Sequence, residues 1–397
     1  MKIALLCSGL GNILRGHEIF ARDLLTLMGD TVDITLFKGG GENLSKEWVI
    51  DNLLRNSACL DHIHVAVSPK WAAAVKEQER MRIEAETFAY AAIKPLLAGG
   101  FNVIHCLEQE VCNIIHDNRH LFQNTPKILF SNGGAIPARD LPRCDFVQEY
   151  TEHNLNYSAR KKAFVIPHGV DLQRFNPKIE SGFRTLHGIP QDALVVISVG
   201  TIGYWHKRMD YVIKEVAQLK DVYLLIVGQA CGDTPEIKTL GQRLMGDRVI
   251  FTTLPHNDLP KAYAAADVFV LGSLFETFGI VYIEAMAMGL PVICTNHPNQ
   301  RSIVKEGIFI DMKKPGTLAE ALRKTDRATL AAIGERGRQI AIERYDLSVL
   351  KKQYLERYQL IASTESTLQK YTLKRKLVAN TQNLFRKMAR LIHGQAE

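Results

Sequence analysis

Short apolar runs alternate along most of the chain with longer stretches whose apolar positions recur every three to four residues. That pattern predicts strands alternating with helices, hence parallel sheets covered on both faces. In the first half the predicted strands are residues 2–8, 32–37, 62–67, 102–106, 127–131, 146–149 and 163–166, with helices over 17–28 and 70–97. A polar stretch punctuated by Pro177, Gly182, Gly188 and Pro190 reads as a linker. A second series follows at 194–199, 222–227, 249–253, 267–271, 292–295 and 308–310. The expected fold class is α/β, with two Rossmann-like doubly wound halves facing a central cleft. Ligands of such sheets sit at the carboxyl ends of the strands.

The segment 271–296, LGSLFETFGIVYIEAMAMGLPVICTN, is the most informative stretch. It reads as the end of a strand, a loop over 273–279, a helix over 280–288 capped by Gly289, and a new strand from Pro291. Glu276 lies in the loop and Glu284 in the helix. Gly279 just precedes the helix, where backbone N–H groups lack intrahelical partners and can hold an anion. Two acids around a helix tip suit a ligand with hydroxyls, phosphates and a ribose. A glycosidase pair would lie roughly 5–10 Å apart. If most of the segment between them is helical, eight steps of about 1.5 Å place these two near 12 Å, too far for that chemistry.

Glu276, Phe278, Gly279, Glu284, Ala285, Met286, Ala287, Gly289, Pro291 and Val292 together resemble the donor signature of retaining glycosyltransferases of the GT-B fold, family 4. The resemblance implies a nucleotide-sugar donor whose sugar hydroxyls meet Glu276, whose sugar and phosphates meet the backbone of Phe278, Gly279 and Ile280, and whose ribose meets Glu284, with Thr277 a further substrate-binding residue. It further implies that Lys207, in VGTIGYWHKRMD, faces the diphosphate as a second catalytic residue. Relatives usually carry Arg where Thr201 stands; Arg208 or Arg15 could supply the missing charge. Leu254 falls in a loop that cradles the base or phosphate in relatives. Gly11 and Asn12, in the loop after the first strand, could approach donor phosphate or acceptor. The G-x-G of Gly9 and Gly11 also invites a dinucleotide reading, but Leu14 occupies the third glycine position and no ribose-binding acid ends the second strand. His105, Glu108 and the run 131–134 lie at strand ends and are candidates for the cleft. Asn132 stands where relatives carry a sugar-contacting His. Residues 167–171 with Phe175 resemble the end of the family's first domain.

The implied organisation is an acceptor-side domain over 1–170, a linker over 171–192 and a nucleotide-sugar domain over 193–345. A helix over 346–363 crosses back, and a tail occupies 364–397. No D-x-D is present, so no metal or other cofactor is expected. His116 with His120, and His62 with His64, read as surface residues without a third ligand.

Charge and cysteine usage narrow the setting. The formal charge is +7, but the seven Lys or Arg and two Glu of 364–397 account for +5, leaving a nearly neutral body. That argues against nucleic acid as a partner. In the tail, Leu377, Leu384 and Leu391 recur at heptad spacing beside a basic face. Such a helix could meet an anionic membrane, a second copy, or its own body. Seven cysteines without a C-x-x-C pair read as buried free thiols, hence a cytoplasmic protein, with the tail offering a route to the inner membrane face. The acceptor is a glycan, lipid or small molecule. Alternatives to transfer are a catalytically inert nucleotide-sugar sensor and a GT-B epimerase or phosphorylase.

Overall fold

The computed structural model describes residues 1–13, 16–159 and 161–365. Met1–Ser363 form one compact unit. It contains two parallel sheets. The first comprises β1 (Lys2–Cys7), β2 (Asp33–Lys38), β3 (Glu47–Val49), β4 (Val103–Cys106), β5 (Lys127–Ser131), β6 (Phe146–Glu149) and β7 (Ala163–Val165), in the order β3-β2-β1-β4-β5-β6-β7. The second comprises β8 (Leu194–Val199), β9 (Val222–Val227), β10 (Val249–Thr252), β11 (Val268–Val270), β12 (Val292–Thr295) and β13 (Ile308–Ile310), in the order β10-β9-β8-β11-β12-β13.

Strand β1 shows why its run is apolar throughout. Ile3, Leu5 and Cys7 belong to the core shared with the helix Gly16–Met28, whereas Ala4 and Leu6 belong to the core under the helix Pro69–Gly99. Side chains alternate across a strand, so a strand covered on both faces must be apolar at every position. The helix Pro69–Gly99 begins with Pro at its first turn and ends at Gly100 in the left-handed region (φ 64°), as its end signals require.

One expected strand is absent: residues 62–67 are irregular. Their apolar-polar alternation is real, but no neighbouring strand pairs with them. The seventh strand is instead β3, a three-residue edge strand beside β2 (Leu36 opposite Glu47). The helix Leu347–Ser363 lies against the first sheet, where Tyr354 and Tyr358 reach Gln148 and His105. Lys351 also pairs with Asp30 at 2.7 Å. All seven cysteines are free; five are buried, whereas Cys59 and Cys231 are exposed. No described helix is long and apolar enough to cross a membrane. Residues 366–397, which carry the expected basic amphipathic helix, lie outside the described residues.

Candidate functional site

Each sheet reverses its strand order at one place, between β1 and β4 in the first and between β8 and β11 in the second. Loops leaving two such strands diverge and open a crevice at their carboxyl ends. Here the crevices form the two walls of one cleft of about 930 Å³. Ser8 follows β1 and Glu108 follows β4; opposite them, Lys207 follows β8 and Glu276–Gly279 follow β11.

On the second-sheet wall, Glu276 is 3% exposed, and its Oε1 accepts a hydrogen bond from Lys207 Nζ at 2.6 Å. His206 Nε2 lies 3.7 Å from the other oxygen. The stem of Lys207 lies over Gly200, where a side chain would press on its Cγ, Cδ and Cε at 3.0–3.1 Å. Gly200 therefore clears the path by which Lys207 reaches the cleft. Gly279 adopts φ 73°, a left-handed conformation that starts the helix Ile280–Ala287 with its N-terminus at the cleft. Glu284, also 3% exposed, has both oxygens engaged: Tyr263 OH donates to Oε2 and His256 Nε2 lies at Oε1, each at 2.9 Å.

The first-sheet wall is acidic and assembled from distant segments. Glu108 Oε1 accepts from the Ser8 N–H (2.9 Å) and the Ser8 hydroxyl (3.1 Å), while its Oε2 is buried without a partner. Burial, with Glu18 nearby, pushes the Glu108 carboxyl up to about 8. Arg82, another wall residue, is held by Glu79 and Glu86. Arg55 is held by Glu84 at 2.6 Å. His168 stacks on Tyr150 at 3.9 Å between ring centroids and touches Phe278 at 4.9 Å. Burial holds its imidazole down at about 3, hence neutral.

Of the expected site residues, Lys207, Glu276, Thr277, Phe278, Gly279, Ile280 and Glu284 converge on the cleft. Several others do not line it. His105 is fully buried, with Nε2 2.6 Å from Ser131 Oγ and Nδ1 2.8 Å from Tyr358 OH. It braces the C-terminal helix against β4 and faces no ligand space. Asn12 donates to Glu84 at 2.9 Å. A side chain on Gly11 would collide with Gly40, so this glycine serves a close backbone crossing. From that loop it is Ser8, Ile13 and Gly16 that line the cleft. Arg208 donates to the carbonyls of Gly272 (3.2 Å) and Met312 (2.9 Å), which ties loops together outside the cleft lining. Thr201 is exposed and outside the lining. Leu254 packs on the core, and its neighbour His256 lines the cleft instead. Arg15 lies outside the described residues. Among the described residues no group of three or more His, Cys, Asp or Glu is placed to hold a metal.

His256, Glu18 and His168 also line the cleft, beyond the expected site residues. His168 lies in the 167–171 motif, which reads as a domain end and not as a site, and all three join the wall only through the sheet topology.

Residues 183–339 match the family described as glycosyl transferases group 1. A sulfoquinovosyl transferase of Arabidopsis thaliana is 33% identical over 190 residues, which cover 45% of this chain and 36% of that protein. The chain thus spans little more than a third of that curated relative. Among solved structures, a sucrose-phosphate synthase of Thermosynechococcus elongatus superposes with TM-score 0.74 at 22% identity, covering 91% of this chain and 100% of that one. The Anabaena protein HepE, solved with UDP-glucose, gives TM-score 0.70 at 17% identity over 90% of this chain and 99% of its own. Over its second sheet the chain is thus similar to the glycosyl transferases group 1, and its two Rossmann-like sheets have the GT-B arrangement.

Proposed function

We propose that the protein is a retaining, metal-independent glycosyltransferase that moves a sugar from a nucleotide-sugar donor to an acceptor hydroxyl. The observation that carries the reading is the partly buried Lys207–Glu276 pair at 2.6 Å beside the helix tip at Gly279. A cation and an anion held together at the cleft wall suit a donor with a diphosphate at one end and hydroxyls at the other. HepE, solved with UDP-glucose, makes a uridine nucleotide the first donor to test.

In this reading the donor separates the pair. Lys207 turns to the diphosphate, and Glu276 accepts from sugar hydroxyls, which is a positioning role. The bond between the anomeric carbon and the phosphate oxygen breaks, with its electron pair leaving on the diphosphate. Lys207 and the N–H groups at the start of the helix Ile280–Ala287 stabilise that charge. The acceptor oxygen attacks the same face, and its proton passes to the departing phosphate. Glu284 would meet the ribose by exchanging its His256 contact for a ribose hydroxyl.

A thermal-shift screen against UDP-, GDP- and ADP-sugars, followed by assay of free nucleoside diphosphate and a new glycosidic bond, tests the assignment. Transfer with retained configuration is expected. Binding without turnover would make the protein a sensor, and turnover without a glycosidic bond an epimerase.

A further inference from the structure

The acid loop of the second sheet is not held only by its own lobe. Asn299, in the helix Pro298–Val304, is fully buried. Its Nδ2 donates to the carbonyl of Glu276 at 2.6 Å and to that of Thr277 at 2.9 Å. Its Oδ1 accepts from the hydroxyl of Thr151 at 2.6 Å. Thr151 follows β6 of the first sheet and also caps the helix Glu152–Leu155 by accepting from the Asn154 N–H at 3.0 Å. Asn154 itself reaches the Thr277 carbonyl at 3.4 Å. One amide therefore bridges the first lobe to the two peptide planes immediately after the proposed donor-binding acid.

Peptide planarity makes that bridge directional. In a trans peptide the N–H points opposite the C=O. Holding the carbonyls of Glu276 and Thr277 on the Asn299 side therefore turns the N–H groups of Thr277 and Phe278 the other way, toward the cleft those residues line. Among the described residues neither N–H has a protein acceptor. A buried amide is costly to leave unpaired, so a side chain that uses both its ends across two lobes is placed for a purpose beyond filling space.

We propose that Asn299, fixed by Thr151 of the opposite lobe, is a positioning residue that aims the Thr277 and Phe278 N–H groups at the bound donor sugar and diphosphate. Donor grip then depends on contact between the lobes. This rests on the donor-site reading above.

The test measures affinity for UDP-glucose, GDP-mannose and ADP-glucose by calorimetry, in wild type and in Thr151→Val, Thr151→Ser and Asn299→Ala, with melting temperature measured alongside. For the nucleotide sugar that wild type binds, Asn299→Ala and Thr151→Val are expected to weaken binding at least five-fold, and Thr151→Ser to stay within two-fold. Asn299→Ala keeps the helix cap and Thr151→Val removes it, so agreement between them assigns the loss to the bridge. Lowered melting temperatures with unchanged donor affinity would overturn the proposal and leave a structural role only. Wild type that binds none of the three would overturn the donor-site reading, and this proposal with it.

Discussion

The two walls of the cleft are built by opposite means. The second-sheet wall is largely one continuous stretch, Glu276 to Glu284, with Lys207 added from the loop after β8. The first-sheet wall gathers Ser8, Glu18, Glu79, Arg82 and Glu108 from four separate segments. A local wall fixes its chemistry through one loop and one helix. A dispersed wall changes with any of its segments. Under the proposed function the local wall takes the donor and the dispersed wall the acceptor.

The largest effect should come from breaking the local wall. Lys207→Ala and Glu276→Ala are each expected to lower transfer turnover at least ten-fold, measured by release of nucleoside diphosphate. Combined, they should fall short of the product of the single effects, because residues in direct contact are coupled. Additive losses would show that the contact between them in the free protein does not couple their effects.

The next prediction concerns the first-sheet half. Tyr358→Phe leaves His105 Nδ1 buried without its partner and should cost about 1–3 kcal/mol of stability in denaturant unfolding. Donor affinity should stay within two-fold, since His105 braces a helix and does not face the cleft. A large loss of donor binding would restore His105 to the site.

A smaller effect follows from Glu108. Its folded carboxyl is raised to about 8 above an ordinary value near 4.3, so between these pH values the folded state holds a proton that the unfolded state has lost. Its contribution is complete below the unfolded value and is lost as pH rises toward 8. Glu108→Gln should thus gain melting temperature relative to wild type as pH is raised from 5 to 9. A constant difference across that range would show the carboxyl to be ordinary. The smallest effect is expected for Thr201→Ala, within two-fold in donor affinity, because Thr201 is exposed and outside the cleft lining.

What could be read from the sequence follows the same division. The six strands of the second sheet, the loop before Ile280 and the cap at Gly279 have local causes: apolar runs, a glycine at positive φ, a helix with its end signals. Residues 62–67 misled because alternation reports only that a segment could be half-buried; pairing depends on what the rest of the chain brings alongside. His105 misled for a related reason. It lies at a strand end, as a ligand residue would, yet Tyr358, 253 positions away, lies over it and fills its second nitrogen. His256 was unreadable because nothing near it in sequence announces Glu284 as its neighbour. The Asn299 bridge joins Thr151 to a residue 148 positions later, a distance no local pattern spans.

The central claim is that Lys207 and Glu276 grip opposite ends of one donor. Calorimetric titration of wild type and Glu276→Ala with UDP-glucose and with UDP tests it most directly. Wild type should prefer the nucleotide sugar, and Glu276→Ala should lose this preference while still binding UDP through Lys207. Equal loss of affinity for both ligands, or an unchanged preference, would contradict it.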